Sequence, residues 1–202
     1  MEAVCDRRIL TLIAAFFLAL TGALGTIYWI PTFIKRLSGL SNQAVASLLL
    51  VPALLGFAGI LINGWHSDRT RERHWHAAIP LLGSGLMFAL VTLTSHEAAF
   101  AVAFLLLGSG FLFAYYPAFW AIPTMMLGET TAAATFGLMH SIGQLGGLAG
   151  PYTIGFLNDR THSLLAALGL IAIVYVVAGS LILTLRICTR RDSVGASAVA
   201  AA

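Results

Sequence analysis

The residues best suited to chemistry within the apolar part of the chain are His140 and its neighbours. Ser141 follows His140 directly and Gln144 lies four residues after it, so His140 and Gln144 share one face of a helix. Imidazole exchanges a proton near neutral pH and can hydrogen-bond a carboxylate. An ionisable residue inside an apolar segment is costly to bury and is therefore a functional candidate. The alternative is that His140 and Gln144 only form hydrogen bonds with neighbouring helices.

Two aromatic residues next to prolines are further candidates for the same site. Trp120 lies between Pro117 and Pro123, where a discontinuous helix would expose backbone groups and the indole N–H to a cavity. Tyr28 precedes Pro31 near the end of another apolar stretch. Trp and Tyr also anchor helices at membrane interfaces, and this is the alternative for both residues.

A second, polar group of residues lies between two apolar stretches. Gly64 is followed four residues later by Asp68, which is adjacent to Arg69, and Arg73 lies four residues after Arg69. The carboxylate of Asp68 can cap the positive end of a neighbouring helix, and the arginines can pair with acidic groups across a moving interface. The alternative is a basic loop that only sets membrane topology.

The composition places these residues in an integral membrane protein. Of the 202 residues, 59% are hydrophobic and 9% are charged, and the mean hydropathy is +0.91. Soluble domains carry about 25% charged residues. A soluble enzyme, a nucleic-acid-binding module and a disordered chain are therefore excluded, and the lipid bilayer is the first expected partner. Cys5 and Cys188 offer neither a disulfide framework nor metal-ligand spacing, so we expect no metal and no cofactor.

Six stretches without Asp, Glu, Lys or Arg are long enough to span a bilayer, which requires about 20 residues. They predict an all-α bundle of six transmembrane helices over residues 9–187, after a cytoplasmic segment (1–8) and before a disordered cytoplasmic tail (188–202). The first stretch is too long to be a signal peptide. Prolines in the fourth and fifth stretches, and apolar lengths that exceed one crossing, predict tilt, kinks or unwound segments there. The stretches cover residues 9–34, 43–64, 77–95, 98–127, 130–158 and 163–185.

The basic residues predict the orientation of the bundle. If the N-terminus is cytoplasmic, eight of the eleven Lys and Arg residues lie on the cytoplasmic side. The positive-inside rule therefore predicts that both termini are cytoplasmic, in a multi-pass protein of the inner or plasma membrane.

Four segments resemble the major facilitator superfamily and, within it, the anion:cation symporter family of phthalate, tartrate and sugar-acid permeases. Residues 64–73 are similar to the cytoplasmic loop motif of that superfamily, and residues 67–76 resemble its second-half version in the anion:cation symporter family. Residues 28–32 are similar to the seventh helix of the family, and residues 119–124 and 141–152 to the tenth and eleventh. The resemblance covers residues 6–191 and aligns with the C-terminal six of twelve helices. Arg71 stands where the family often has Gly, and His140 where it commonly has Asn.

The resemblance implies the second half of a twelve-helix major facilitator fold, a six-helix bundle built as a 3+3 inverted repeat. It also implies transport of a small organic anion, such as a dicarboxylate or sugar acid, by proton-coupled alternating access. No Asp or Glu lies mid-membrane, so the coupling proton would be carried by His140 or by the other half. The expected protein partner is an N-terminal six-helix half or a second copy. The substrate-binding residues would be His140, Gln144, Ser141, Trp120 and Tyr28, and the cytoplasmic gate would comprise Gly64, Asp68, Arg69 and Arg73.

Other functions remain to be weighed against a transporter. A membrane-embedded serine enzyme could use Ser84 or Ser109 with His140 as the base, but it leaves the Asp-Arg loop unexplained. A channel requires a filter motif, which the sequence lacks. Alternating access rocks two bundles against each other, so we expect the chain alone not to transport. It would then be one half of a split gene or an inactive fragment.

Overall fold

A computed structural model describes the backbone of residues 6–126 and 129–200, and the side chains of residues 6–126 and 133–185. Within these residues every regular element is an α-helix, which confirms the all-α prediction. The helices are α1 (Arg7–Ser38), α2 (Asn42–Leu48), α3 (Leu50–Thr70), α4 (His74–Leu93), α5 (Ala98–Phe111), α6 (Tyr116–Met126), α7 (Glu129–Thr161) and α8 (Leu164–Ala200).

The helices follow the six apolar stretches, with the second and fourth stretches divided. Among the described residues, five spans are long and apolar enough to cross a membrane: α1, α2 with α3, α4, α5 with α6, and α8. α7 is not one of the five although it has 33 residues, because glycines and polar residues such as His140 and Gln144 interrupt its apolar sequence.

Local signals in the sequence fix both ends of α1. The side chain of Asp6 accepts a hydrogen bond from the backbone N–H of Arg8 at 2.9 Å, which caps the first turn. Gly39 ends the helix in the left-handed conformation at φ 68°, and its N–H donates to the carbonyl of Lys35. The 32 residues of α1 span about 48 Å, which exceeds a hydrocarbon core of about 30 Å.

The core lies where α1 packs against α7 and α8, and where α4 packs against α8 and α5. Phe16, Phe88 and Tyr175 are fully buried in it. Glycines on α7 allow its close approach to α1. A Cβ on Gly146 would overlap the backbone carbonyl of Phe17, and one on Gly150 would overlap that of Thr21. These contacts place the polar residues of α7 beside α1.

The fourth span is broken between α5 and α6, at residues 112–115. Pro117 has no N–H to donate to the carbonyl of Phe113, and this carbonyl instead accepts from Tyr116 at 3.1 Å. The break therefore lies before Pro117, and Trp120 itself is helical, in α6.

The fifth span is not unwound at Pro151, which leaves tilt or a kink as the alternatives predicted for this span. α7 runs without interruption from Glu129 to Thr161. The indole N–H of Trp29 donates to the carbonyl of Pro151 at 3.2 Å, and α7 packs closely on α1 on both sides of the proline. This packing maintains the helix despite the backbone hydrogen bond lost at Pro151.

At the C-terminus, α8 continues to Ala200, past the predicted end of the bundle at residue 187. The side chains after Leu185 lie outside the described residues. The disordered tail predicted for residues 188–202 therefore stays a prediction.

Candidate functional site

His140 and Gln144 form a polar pair on the exposed face of α7. The Gln144 Nε2 atom lies 3.1 Å from His140 Nε2. If this amide nitrogen donates, His140 Nε2 accepts, and the imidazole carries its proton on Nδ1. Ser141 is exposed one residue after His140. The pair can therefore offer hydrogen bonds to a solute next to α7.

Aromatic rings from two other helices surround His140. The Trp120 ring on α6 lies 6.2 Å from the imidazole, measured between ring centroids, and the Phe16 ring on α1 lies 6.1 Å from it. Phe16 and Trp120 are themselves 5.0 Å apart, and Phe136 lies 5.5 Å from Trp120. Phe16 is absent from the sequence-based candidates, because a contact between α1 and α7 leaves no signal in residue spacing.

Tyr28, on α1, lies on the far side of Gln144 from His140, beside the exposed face of α7. α1 and α7 run parallel, because Phe16 meets Gly143 and Trp29 meets Gly155. Tyr28 and Gln144 line one open cavity of about 430 Å³ between these helices, together with Leu24, Gly147, Leu148, Pro151 and Tyr152. The structure thus brings Trp120 and His140 together, and Gln144 connects this pair to the cavity that Tyr28 lines.

The polar loop between α3 and α4 is held by a compact set of hydrogen bonds. Arg73 Nη1 donates to Asp68 Oδ1 at 2.6 Å and lies 3.0 Å from Ser67 Oγ. Ser67 Oγ in turn donates to the backbone carbonyl of Glu72. Asp68 remains 74% exposed while it is paired. The carboxylate is thus available to a second helix as well as to Arg73.

The other predicted gate residues take separate positions. Arg69 lies over the indole ring of Trp65, with its guanidinium carbon 5.5 Å from the ring centroid. Gly64 allows α3 to approach α6, since a Cβ there would come within 3.3 Å of Pro117. Arg71 ends α3 in the left-handed conformation at φ 54°, a geometry that glycine adopts more readily.

Asn63 is a structural residue that the sequence reasoning missed. Its Nδ2 atom donates to the carbonyl of His76 at 2.8 Å and to that of Ala114 at 2.6 Å. Pro80 lacks the N–H that would otherwise pair with the His76 carbonyl, and Ala114 lies at the break before α6. Pro80 lies four residues after His76, so the sequence alone indicates that the His76 carbonyl has no donor within the helix.

Two histidines extend this polar layer toward the loop. His66 Nδ1 lies 2.6 Å from His76 Nε2, and His76 Nδ1 lies 2.6 Å from the carbonyl of Glu72. When His76 donates from Nδ1, its Nε2 accepts the Nδ1 proton of His66. Among the described residues, these two histidines included, no group of three or more His, Cys, Asp or Glu side chains could hold a metal ion.

Residues 1–151 match the family model of the Major Facilitator Superfamily. The chain belongs to the Major Facilitator Superfamily. A quinolone resistance transporter of Acinetobacter baumannii is 34% identical over 86% of this chain. A protein of Agrobacterium vitis named "Putative tartrate transporter" is 33% identical over 91% of the chain, and the inner membrane transport protein RhmT of Escherichia coli is 32% identical over 92%.

Membership of the superfamily confirms the recognition made from the loop motif and the helix segments. Together with the apolar helices, this membership indicates a multi-pass membrane protein. The relatives are named as transporters, in line with the expectation that the chain is not an enzyme. The chain spans about two fifths of these relatives, covering 40%, 39% and 43% of their respective lengths.

Proposed function

We propose that the chain is the C-terminal half of a secondary transporter for a small organic anion, coupled to protons and working by alternating access in the inner membrane. The observation that carries this proposal is the open polar face on which His140, Gln144 and Tyr28 lie, with Trp120 beside it. A dicarboxylate or sugar acid would accept hydrogen bonds from these side chains. The tartrate named for the Agrobacterium relative supports this substrate class.

The position of the polar residues supports a second half that covers them. His140 and Gln144 are exposed, and Tyr28 is 68% exposed, on helices with many apolar residues. Contact with lipid would be costly for such polar groups, so a water-filled cavity or another protein surface must cover them. In the most apolar stretch of α2 and α3, 17% of the residues are buried, against 61% in α1. The polar face with His140 and Gln144 and the exposed surface of α2 and α3 both suit an N-terminal six-helix half or a second copy.

The coupling proton has one candidate carrier on this face. No Asp or Glu lies on the midplane turns of the described helices, and His140 is the histidine bonded to Gln144 at the open cavity. When His140 gains a proton, both ring nitrogens become donors, and Gln144 must turn its amide oxygen toward the ring to keep their hydrogen bond. The imidazolium can then pair with the carboxylate of the substrate.

The loop between α3 and α4 supplies a gate in this proposal. The Asp68–Arg73 pair fixes the shape of the loop, and the exposed Asp68 carboxylate can cap a helix of the other half on the cytoplasmic side. Separation of this contact would accompany opening of the cavity toward the cytoplasm. The excess of basic residues in this loop and near both ends of the chain supports the cytoplasmic assignment.

A fusion protein tests the role of His140. The part of the Agrobacterium relative that this chain does not match is joined to this chain, and tartrate uptake into proteoliposomes is measured. We expect His140→Ala to reduce uptake at least tenfold, because it removes the ionisable group at the site. His96→Ala, in the exposed turn before α5, should change uptake by less than twofold. Equal uptake by the two variants would contradict the proposal.

Export of an aromatic compound is a second candidate function. It is favoured by the similarity to the quinolone resistance transporter and by the rings of Trp120 and Phe136 next to His140. Accumulation of a fluorescent quinolone in cells that express the fusion distinguishes the two. An exporter lowers accumulation, whereas an organic-acid importer leaves it unchanged.

A further inference from the structure

A groove outside the candidate substrate site opens between α3 and α4. These two helices are joined by a short turn but contact each other sparsely, and α5 packs against both. The groove encloses about 770 Å³. Its walls are formed by apolar side chains that include Leu55 and Ile62 on α3, Ile79 and Met87 on α4, and Phe111 on α5.

One end of the groove is polar. Asn63, His66 and His76 line it there, and the polar contacts between α3 and α4 lie at this end. All three side chains form hydrogen bonds within the protein, and His66, which is bonded to His76 at 2.6 Å, is exposed next to the groove. Arg69 follows one helical turn later, so a cation lies just beyond the polar end.

The length of the groove matches one leaflet of a bilayer. Leu55 and His66 are eleven residues apart on α3, which corresponds to about 16 Å along the helix axis. Half of a hydrocarbon core of about 30 Å is about 15 Å. The apolar part therefore spans one leaflet, and its polar end reaches the surface at the arginine-bearing loop.

We propose that this groove binds an anionic glycerophospholipid from the leaflet next to the α3–α4 loop. One acyl chain lies along the apolar walls, and the phosphate lies at Arg69, one helical turn beyond the polar end. The charges are complementary, because the loop carries three arginines (Arg69, Arg71 and Arg73) against two carboxylates (Asp68 and Glu72), and Arg69 and Arg71 are exposed. Basic residues at the end of a cleft between transmembrane helices are suited to acidic lipid headgroups. This inference does not depend on the proposed transport activity.

A glycine in the wall of the groove offers a way to test whether a lipid occupies it. Gly83 lines the groove, and a Cβ added there would meet no atom within 4 Å. Gly83→Leu therefore places an apolar side chain in the groove from a Cβ position that meets no neighbouring atom. Gly169 on α8 is equally open but lies outside the groove, so Gly169→Leu is a matched control.

The experiment is native mass spectrometry of the full chain in detergent, titrated with palmitoyl-oleoyl phosphatidylglycerol or palmitoyl-oleoyl phosphatidylcholine. We expect phosphatidylglycerol to bind the unmodified chain at least fivefold more tightly than phosphatidylcholine. Gly83→Leu should weaken phosphatidylglycerol binding at least fivefold, and Gly169→Leu less than twofold. Circular dichroism verifies that both variants keep the helical content of the unmodified chain.

Arg69→Gln tests the headgroup contact separately and changes only an exposed side chain. It should reduce the preference for phosphatidylglycerol to less than twofold while phosphatidylcholine binding is unchanged. The proposal is overturned if the two lipids bind the unmodified chain equally, or if Gly83→Leu retains full phosphatidylglycerol binding. A dimer that Gly83→Leu dissociates would also overturn it, because a second copy would then occupy the groove.

Discussion

Two carbonyl oxygens without a helical donor meet at the amide of Asn63. Pro80 leaves the His76 carbonyl unpaired within α4, and the break before α6 leaves that of Ala114. Buried backbone acceptors in a membrane are costly unless they are paired. One side chain therefore stabilises both interruptions and connects α3 to its two neighbours.

We predict that Asn63→Leu lowers the free energy of unfolding by about 1–2 kcal/mol, because two carbonyls lose their donor. Unfolding of the purified chain in mixed detergent and SDS, followed by circular dichroism, measures the change. Asn158→Leu is the control, since Asn158 accepts only a long bond of 3.5 Å from Arg36. Its effect should stay below about 0.5 kcal/mol. Equal effects of the two substitutions would argue against this role for Asn63.

At the residue scale, the sequence predicted contacts within a helix better than contacts between helices. The His140–Gln144 pair follows directly from helical spacing. The packing of Phe16 against His140 and Trp120 depends on how α1, α6 and α7 pack together, and a single sequence does not encode that in its spacing. The sequence likewise does not show that the Ala114 carbonyl accepts from Asn63, because this depends on where the fourth span breaks.

At the scale of the elements, the α1–α7 contact determines where the polar face lies. Gly150 approaches the backbone of Thr21 and Gly25 directly, and backbone atoms cannot move aside as a side chain can. Gly137, on the same helix, has no atom within 4 Å of the position of a Cβ. The same substitution at the two glycines should therefore have opposite effects.

We expect Gly150→Ala to destabilise the bundle by about 1–3 kcal/mol, because α1 and α7 must separate to accept the methyl group. Gly137→Ala should stabilise it by about 0.5–1 kcal/mol, since alanine favours helix more than glycine does. The SDS unfolding assay measures both. A stabilising Gly150→Ala would contradict the described packing of α1 and α7.

The prolines show how far the elements can be predicted from the sequence. Pro117 and Pro151 both remove a backbone donor, yet of the two spans that contain them the fourth is interrupted and the fifth is not. The outcome depends on the surroundings: α7 packs on α1 through its glycines on both sides of Pro151, and Trp29 donates to the Pro151 carbonyl. Tertiary packing, which is not readable from one sequence, thus decides which proline interrupts its helix.

At the scale of the whole molecule, the bundle presents a polar face that it does not cover itself. The length of the chain and its low charge predicted a membrane bundle, and the relatives are about two and a half times as long as the stretch they share with it. What lies against Tyr28, Gln144 and His140 is not specified by the residues of this chain. In our account it is a second six-helix half, and transport requires both.

The most direct test of this account compares tartrate uptake by proteoliposomes containing the chain alone with uptake by those containing the fusion to the unmatched part of the Agrobacterium relative. The account predicts saturable uptake that increases with an inward proton gradient for the fusion. It predicts uptake no higher than that of protein-free liposomes for the chain alone. Saturable, proton-dependent uptake by the chain alone would contradict it.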